Sequence, residues 1–150
     1  MDNSTMRKIN SVIFILLLFS SCRHNPIETG DSLSKADIAY IQGLQLLDKG
    51  EIIYKFYSEA SKKEAGNLFT NKRIATYWMD KRNSQKSQIS FAFYPDIQSI
   101  DTVYYAGLTY CPYMLVTKKD STKFKVSVAG SHRQIKAFFE DALRQWKLRQ

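Results

Sequence analysis

Few side chains in this 150-residue chain are of kinds that do chemistry, and they are scattered along it. A Cys111–His132 nucleophile can be written down, but no sequence motif supports it. Cys111 lies in Tyr110-Cys111-Pro112-Tyr113, among aromatics, where a buried thiol is expected rather than a reactive one. Glu51 and Asp96 are the nearest approach to a carboxylate pair, and each has a simpler reading as a strand-end or turn residue. No histidine–carboxylate cluster has metal spacing, no glycine-rich loop could cradle a phosphate, and no Gly-x-Ser-x-Gly elbow occurs. The expectation is a protein without catalytic residues, resident metal or cofactor. Two basic pairs remain, Lys62-Lys63 and Lys81-Arg82. Both fall in polar loops and form a candidate contact surface, with solvated loop charge as the alternative.

The residue with the clearest chemical destination is Cys22. It closes a run that starts Met6-Arg7-Lys8, continues with eight apolar residues from Val12 to Phe19, and ends in Ser20-Ser21. Eight residues span roughly 12 Å as a helix, against about 30 Å of membrane hydrocarbon. That is short for a span and suits the apolar region of a secretory signal. Small residues before a cysteine look like the lipobox of bacterial lipoproteins, with Phe19 standing where leucine is usual. The resemblance implies a signal peptide over 1–21 and acyl chains, such as palmitate, on Cys22. With two or three chains at about 0.8 kcal/mol per buried methylene, the anchor would hold. An ordinary secretory signal with an incidental cysteine, or a short uncut anchor, are the other readings. Arg23 is not the acidic neighbour that retains lipoproteins at some inner membranes. By the same resemblance, the outer membrane facing the periplasm is favoured in a Gram-negative cell.

Removing residues 1–21, which carry Asp2, Arg7 and Lys8, takes only one unit from the formal charge of +8. Such a bias fits an anionic envelope component or an acidic protein partner. The basic residues are spread rather than clustered, which together with export argues against nucleic acid. What remains is one domain's length of chain. Residues 22–32, with Pro26 and Gly30 and no periodicity, read as a flexible tether, and 33–150 as the folded domain.

Within that domain a helix is expected from Ser34 to about Asp48, with Ser34 as N-cap and Asp37 three residues on. Tyr40, Ile41, Leu44 and Leu47 form its apolar stripe. Strand patterns follow over Glu51–Ser58, Asn67–Thr70, Arg73–Met79, Gln88–Tyr94, Ile97–Tyr105 and Tyr113–Lys118. A seventh has Phe124, Val126 and Val128 alternating with polar residues. Asn71, which tolerates positive φ, is expected to turn the second strand tightly into the third. Ser131 and Gln134 form a capping box. Behind them Ile135, Phe138, Phe139, Ala142, Leu143 and Trp146 make an apolar stripe suited to filling one end of a sheet.

Four stretches carry a resemblance to the bacterial PH-like domains, relatives of GRAM domains. They are Glu51–Tyr57, the Leu68-Phe69-Thr70-Asn71-Lys72-Arg73-Ile74 turn, Tyr94-x-Asp96-Ile97-x-x-Ile100, and the closing strand pair with its amphipathic helix. The similarity covers about residues 44–148 and departs at Ala106–Pro112 and in export. It implies an α+β, mainly β domain: a partly open barrel of about seven antiparallel strands capped by the C-terminal helix and preceded by a short helix. It also implies a binding or scaffolding module, whose lipid-reading members use basic loops where Lys62, Lys63, Lys81 and Arg82 stand here. A barrel-like small-ligand carrier or a small envelope enzyme is the alternative, and an enclosed apolar cavity would favour the carrier.

Overall fold

Alternating and aromatic-rich segments pair with their sequence neighbours in this computed structural model, which describes residues 25–107 and 110–150. The signal segment and Cys22 lie outside the described residues. Helix α1 (Lys35–Gly43) is followed by β1 (Ile53–Tyr57), β2 (Ala65–Thr70), β3 (Arg73–Trp78) and β4 (Gln88–Phe93). Then come β5 (Ile97–Val103), β6 (Tyr113–Lys118), β7 (Lys123–Ser127) and helix α2 (His132–Lys147). All pairings are antiparallel, in a four-stranded sheet ordered β1-β2-β3-β4 and a three-stranded sheet ordered β5-β6-β7. The chain is thus α+β.

The two sheets are not closed into a barrel. Among the described residues no strand of one is paired with a strand of the other. They are tied instead by side chains, such as Asn67 Oδ1, which accepts from Ser127 N at 3.1 Å and from Thr76 Oγ1 at 2.9 Å. Between the sheets lies one apolar core, with Phe69, Ile74, Met114, Val116 and Val126 fully enclosed. Ile135, Phe138, Phe139 and Ala142 of α2 complete it, and Phe138 meets Phe69 edge-on at 5.1 Å. Leu143 and Trp146 of the expected stripe are only half-buried. Lys55 on β1 fastens the helix from outside, its Nζ donating to Ala137 O and pairing with Asp141 at 2.6 Å. A second core on the other face of the four-stranded sheet holds Phe56, Leu68, Ala75 and Tyr77 under Ile41, Leu46 and Leu47.

Both capping boxes form, Ser34 with Asp37 and Ser131 with Gln134. Helix α1 nevertheless ends at Gly43, well before the expected Asp48. Gln45 takes a φ of 60°, turning the chain so that Leu46 drops into the core and the Gln45 carbonyl comes within 3.3 Å of Arg73 Nη1. The β2–β3 turn is as tight as expected, but Asn71 is not in the left-handed region. Thr70 Oγ1 makes the turn by accepting from Lys72 N and Arg73 N at 2.9 and 3.0 Å. Asn71 in turn holds Ile52 with both its backbone N–H and its side-chain oxygen.

The stretch read as a flexible tether is held wherever it is described. Glu28 and Phe56 exchange backbone hydrogen bonds of 2.8 Å along the outer edge of β1. Asn25 Nδ2 donates to Ser58 O and Ala60 O. Gly30 sits so close to β1 that an added Cβ would lie 2.3 Å from Ile53 O. Its role is close approach, a need that sequence composition alone does not separate from flexibility.

Candidate functional site

The two basic pairs come from the β1–β2 and β3–β4 connections, which the sheet topology puts at one end. The structure joins them: Met79 N donates to Glu64 O, and Lys81 pairs with Glu64. Two of the four charges, Lys62 and Lys81, are paired there. Lys62 Nζ lies 2.7 Å from Glu28 and 3.4 Å from Asp37, so it clamps the N-terminal segment and the start of α1 to the β1–β2 loop. Partial desolvation alone would lower its pKa, but Glu28 and then Asp37 outweigh that and hold it above its ordinary value. Lys63 and Arg82 are exposed, with Asp80 Oδ1 accepting from Arg82 N. With Lys62 and Lys81 tied to carboxylates, Lys63 and Arg82 are what remains of the expected contact surface.

Glu51 does not meet Asp96. It is buried with Arg73, whose Nε and Nη2 donate to its two oxygens at 3.0 and 2.7 Å. Thr70 Oγ1 donates to the same carboxylate, and Asp48 reaches Arg73 Nη2 at 2.9 Å. The guanidinium also lies over the rings of Phe93 and Phe91, at 4.5 and 5.2 Å from their centroids. This cluster locks the α1–β1 connection to the β2–β3 turn, with Arg73 and Glu51 enclosed and only Asp48 reaching solvent.

The exposed Asp96 lines the feature that sequence reading missed, a groove of about 700 Å³ between β4 and the β6–β7 hairpin. Ile89, Ser90, Phe91, Ala92 and Phe93 form one wall, and Lys118, Lys119, Asp120, Thr122, Lys123 and Phe124 the other. A smaller recess shares Ser90, Lys123 and Phe124 with it and reaches Trp78, Gln88 and Lys125. Lys118 pairs with Asp120 at 3.5 Å, and Lys125 sits over the Tyr113 ring at 4.4 Å. Lys119 and Lys123 are exposed and make no ion pair among the described residues. The sequence signal was present in the lysines alternating with Phe124 and Val126. It reads as an ordinary wet face until the fold sets an uncharged strand opposite.

Cys111 is exposed rather than buried, and Tyr110 beside it is exposed as well. Local desolvation and then the Glu59 charge push its thiol pKa up, so little thiolate forms near neutral pH. His132 is engaged elsewhere, stacked against Tyr105 with 6.2 Å between ring centroids. Among the described residues no group of His, Cys, Asp or Glu is placed to hold a metal, and no helix is long and apolar enough to cross a membrane. Compared with family models, with curated proteins and with solved structures, the chain finds no match.

Proposed function

We propose that this chain is a lipoprotein of the cell envelope, anchored through lipid on Cys22, whose folded part is a PH-like module that binds a partner without transforming it. Kinship with PH-like domains is supported by the four-plus-three arrangement of antiparallel strands and by a C-terminal helix whose phenylalanines fill the space between the sheets. The partner is a protein or an anionic component of the envelope, met from the periplasmic face of the outer membrane if the cell is Gram-negative.

The observation that carries the binding reading is the groove between β4 and the β6–β7 hairpin. Its volume lies in the range of ligand sites. Its walls combine half-buried aromatics with exposed lysines, and it opens to solvent along a strand. A carrier of small apolar molecules calls for an enclosed apolar cavity, which a cleft bordered by Ser90, Thr122, Lys119 and Lys123 does not offer.

Two measurements on the full-length chain in its native envelope test this reading. Intact mass of the membrane fraction should show a mature chain starting at an acylated Cys22, and Cys22→Ala should abolish the modification. Crosslinking of the intact chain should capture a discrete partner. A mature N-terminus elsewhere without lipid refutes the anchor. Turnover of an envelope substrate that one polar substitution abolishes refutes the non-enzymatic role.

A further inference from the structure

Five consecutive residues of β4, Ile89 to Phe93, line the groove. Side chains of a strand alternate between its two faces, so five in a row cannot all point into one cleft. What they share is the strand's edge. β4 is the last strand of its sheet, and its hydrogen-bonding direction away from β3 carries no partner strand.

The register identifies which backbone groups face that way. Tyr94 N donates to Lys72 O at 3.1 Å, continuing the β3–β4 ladder in which Arg73 is opposite Phe93. In an antiparallel ladder, hydrogen-bonded pairs alternate with non-bonded ones. Ala92, Ser90 and Gln88 are therefore bonded to Ile74, Thr76 and Trp78, while Ile89, Phe91 and Phe93 direct their N–H and C=O groups outward. No hydrogen bond among the described residues reaches the outward groups of Ile89 and Phe91, while the Phe93 carbonyl opens the short helical turn Tyr94–Asp96 and leaves its N–H facing out. Folded proteins usually blunt such an edge with charge, proline or a covering segment. From Gln88 to Phe93 there is neither charge nor proline, and Ile89 is 43% exposed. The opposite edge of the same sheet is covered, since Glu28 pairs with Phe56 on β1.

We propose that the free edge of β4 takes an extended acidic segment of a partner protein as an added strand, within the groove described above. This rests on the reading of the chain as a binding module and names its mode. Backbone hydrogen bonds to Ile89, Phe91 and Phe93 supply affinity, and the chemistry of the groove supplies selectivity. The wall facing β4 holds Lys118, Lys119 and Lys123 against Asp96 and Asp120, and Asp120 is already engaged by Lys118. A strand laid there meets unpaired ammonium groups at Lys119 and Lys123, so carboxylates are the complementary side chains. A second copy of this chain is a poorer occupant: its own β4 would bring no carboxylate to those lysines.

The test uses the full-length chain in a non-ionic detergent and a fluorescein-labelled peptide of about ten residues that alternates valine and glutamate, read by anisotropy. Binding should weaken as salt rises, and a valine–lysine peptide should bind at least about tenfold more weakly. Methylating every second backbone nitrogen along the bonding edge of the valine–glutamate peptide should cost at least about tenfold. So should Ile89→Pro, which removes one outward N–H and spares the ladder to β3, and so should Lys119→Glu combined with Lys123→Glu. The methylated peptide needs no altered protein, so a poorly folded variant cannot obscure the result. Failure of the valine–glutamate peptide to bind, equal binding of the methylated peptide, or self-association through β4 in place of peptide capture would each overturn the proposal. If an envelope partner crosslinks equally to the wild-type and Ile89→Pro chains, the strand-edge assignment fails and the binding-module reading stands. If the wild-type chain captures no partner at all, it is that broader reading that fails.

Discussion

Arg73 lies against Glu51 in a two-pronged ion pair, with side chains 2% and 0% exposed. The pair is joined by Thr70 at the carboxylate and by Asp48 and the carbonyl of Gln45 at the guanidinium, so residues far apart in the chain converge on one ion pair. Two buried charges are costly to desolvate together, and far more costly to separate.

Arg73→Met should therefore destabilise the fold by about 3–5 kcal/mol, because it leaves the Glu51 carboxylate enclosed without its partner. Adding Glu51→Leu to that variant should restore much of the loss. Urea melts of both single variants and the double variant measure this coupling directly. Additive losses would mean that the two side chains act independently.

The Lys62 bridge makes a prediction about pH. Partial desolvation tends to raise the pKa of Asp37, but hydrogen bonds with Ser34 and the charge of Lys62 together keep it below its ordinary 3.8. A depressed carboxyl contributes stability above its unfolded pKa, and that is lost as pH falls through the folded value. Lys62, raised above its ordinary 10.5, contributes stability below that value, and loses it as pH climbs through the folded one. Lys62→Met should thus lower the melting temperature by a constant amount between about pH 5 and 9, equivalent to about 1 kcal/mol. The difference should shrink in strong acid, and amide exchange at Glu28 and Phe56 should speed up in the variant. A penalty that varies through neutrality would assign the effect to other groups.

Gly66 in β2 lies under the Tyr77 ring, where an added Cβ would come 2.3 Å from Cε1. Tyr77 cannot yield easily, being 2% exposed and donating its hydroxyl proton to Lys62 O. Gly66→Ala should cost about 1–3 kcal/mol by overpacking. Gly66→Ala with Tyr77→Phe should relieve only part of that cost, since Cε1 and Cζ of the ring, at 2.3 and 2.5 Å, collide harder than the hydroxyl oxygen at 2.7 Å. Thermal unfolding of both variants decides it.

Helix α2 divides its stripe between a deep half and a shallow one. Phe138→Ala should cost about 3–5 kcal/mol, as its ring is wholly enclosed against Phe69 and Phe139. Trp146 is half-buried, and its indole N–H is enclosed without an acceptor. Trp146→Phe removes that unpaired donor and should leave stability nearly unchanged or raise it. Lys147→Ala, in solvent, should change little. A large loss in Trp146→Phe would show that the indole N–H finds an acceptor in solution.

These contrasts show what could be read from residue order alone. Ser131 and Gln134 announce the start of α2 because a capping box depends on two residues three apart, and the strands announce themselves by alternation over five or six positions. Each is a local signal. The partners of Glu51 lie 19 and 22 residues further on. Nothing near Glu51 marks it as more than a strand-end carboxylate, so Thr70-Asn71-Lys72-Arg73 reads as a turn without its buried salt bridge. The early end of α1 was hidden for the same reason, since Gln45 answers to a distant arginine. The groove was illegible because it lies between β4 and a hairpin of the other sheet, with which β4 is not paired.

Asn25 is bound to carbonyls of the β1–β2 loop, and only three residue steps separate it from Cys22. Three extended residues reach about 10 Å. A lipid on Cys22 would consequently act as a short leash on a rigid body, holding the domain against the bilayer with little freedom to turn over. The end carrying Ser58, Ala60 and Lys62 would face the headgroups, and the Asn71–Lys72 end would face the aqueous space. β4 runs from the first end towards the second. An arriving chain would find the Phe93 and Lys119 mouth of the groove raised clear of the membrane, and would engage it while the protein diffuses in two dimensions.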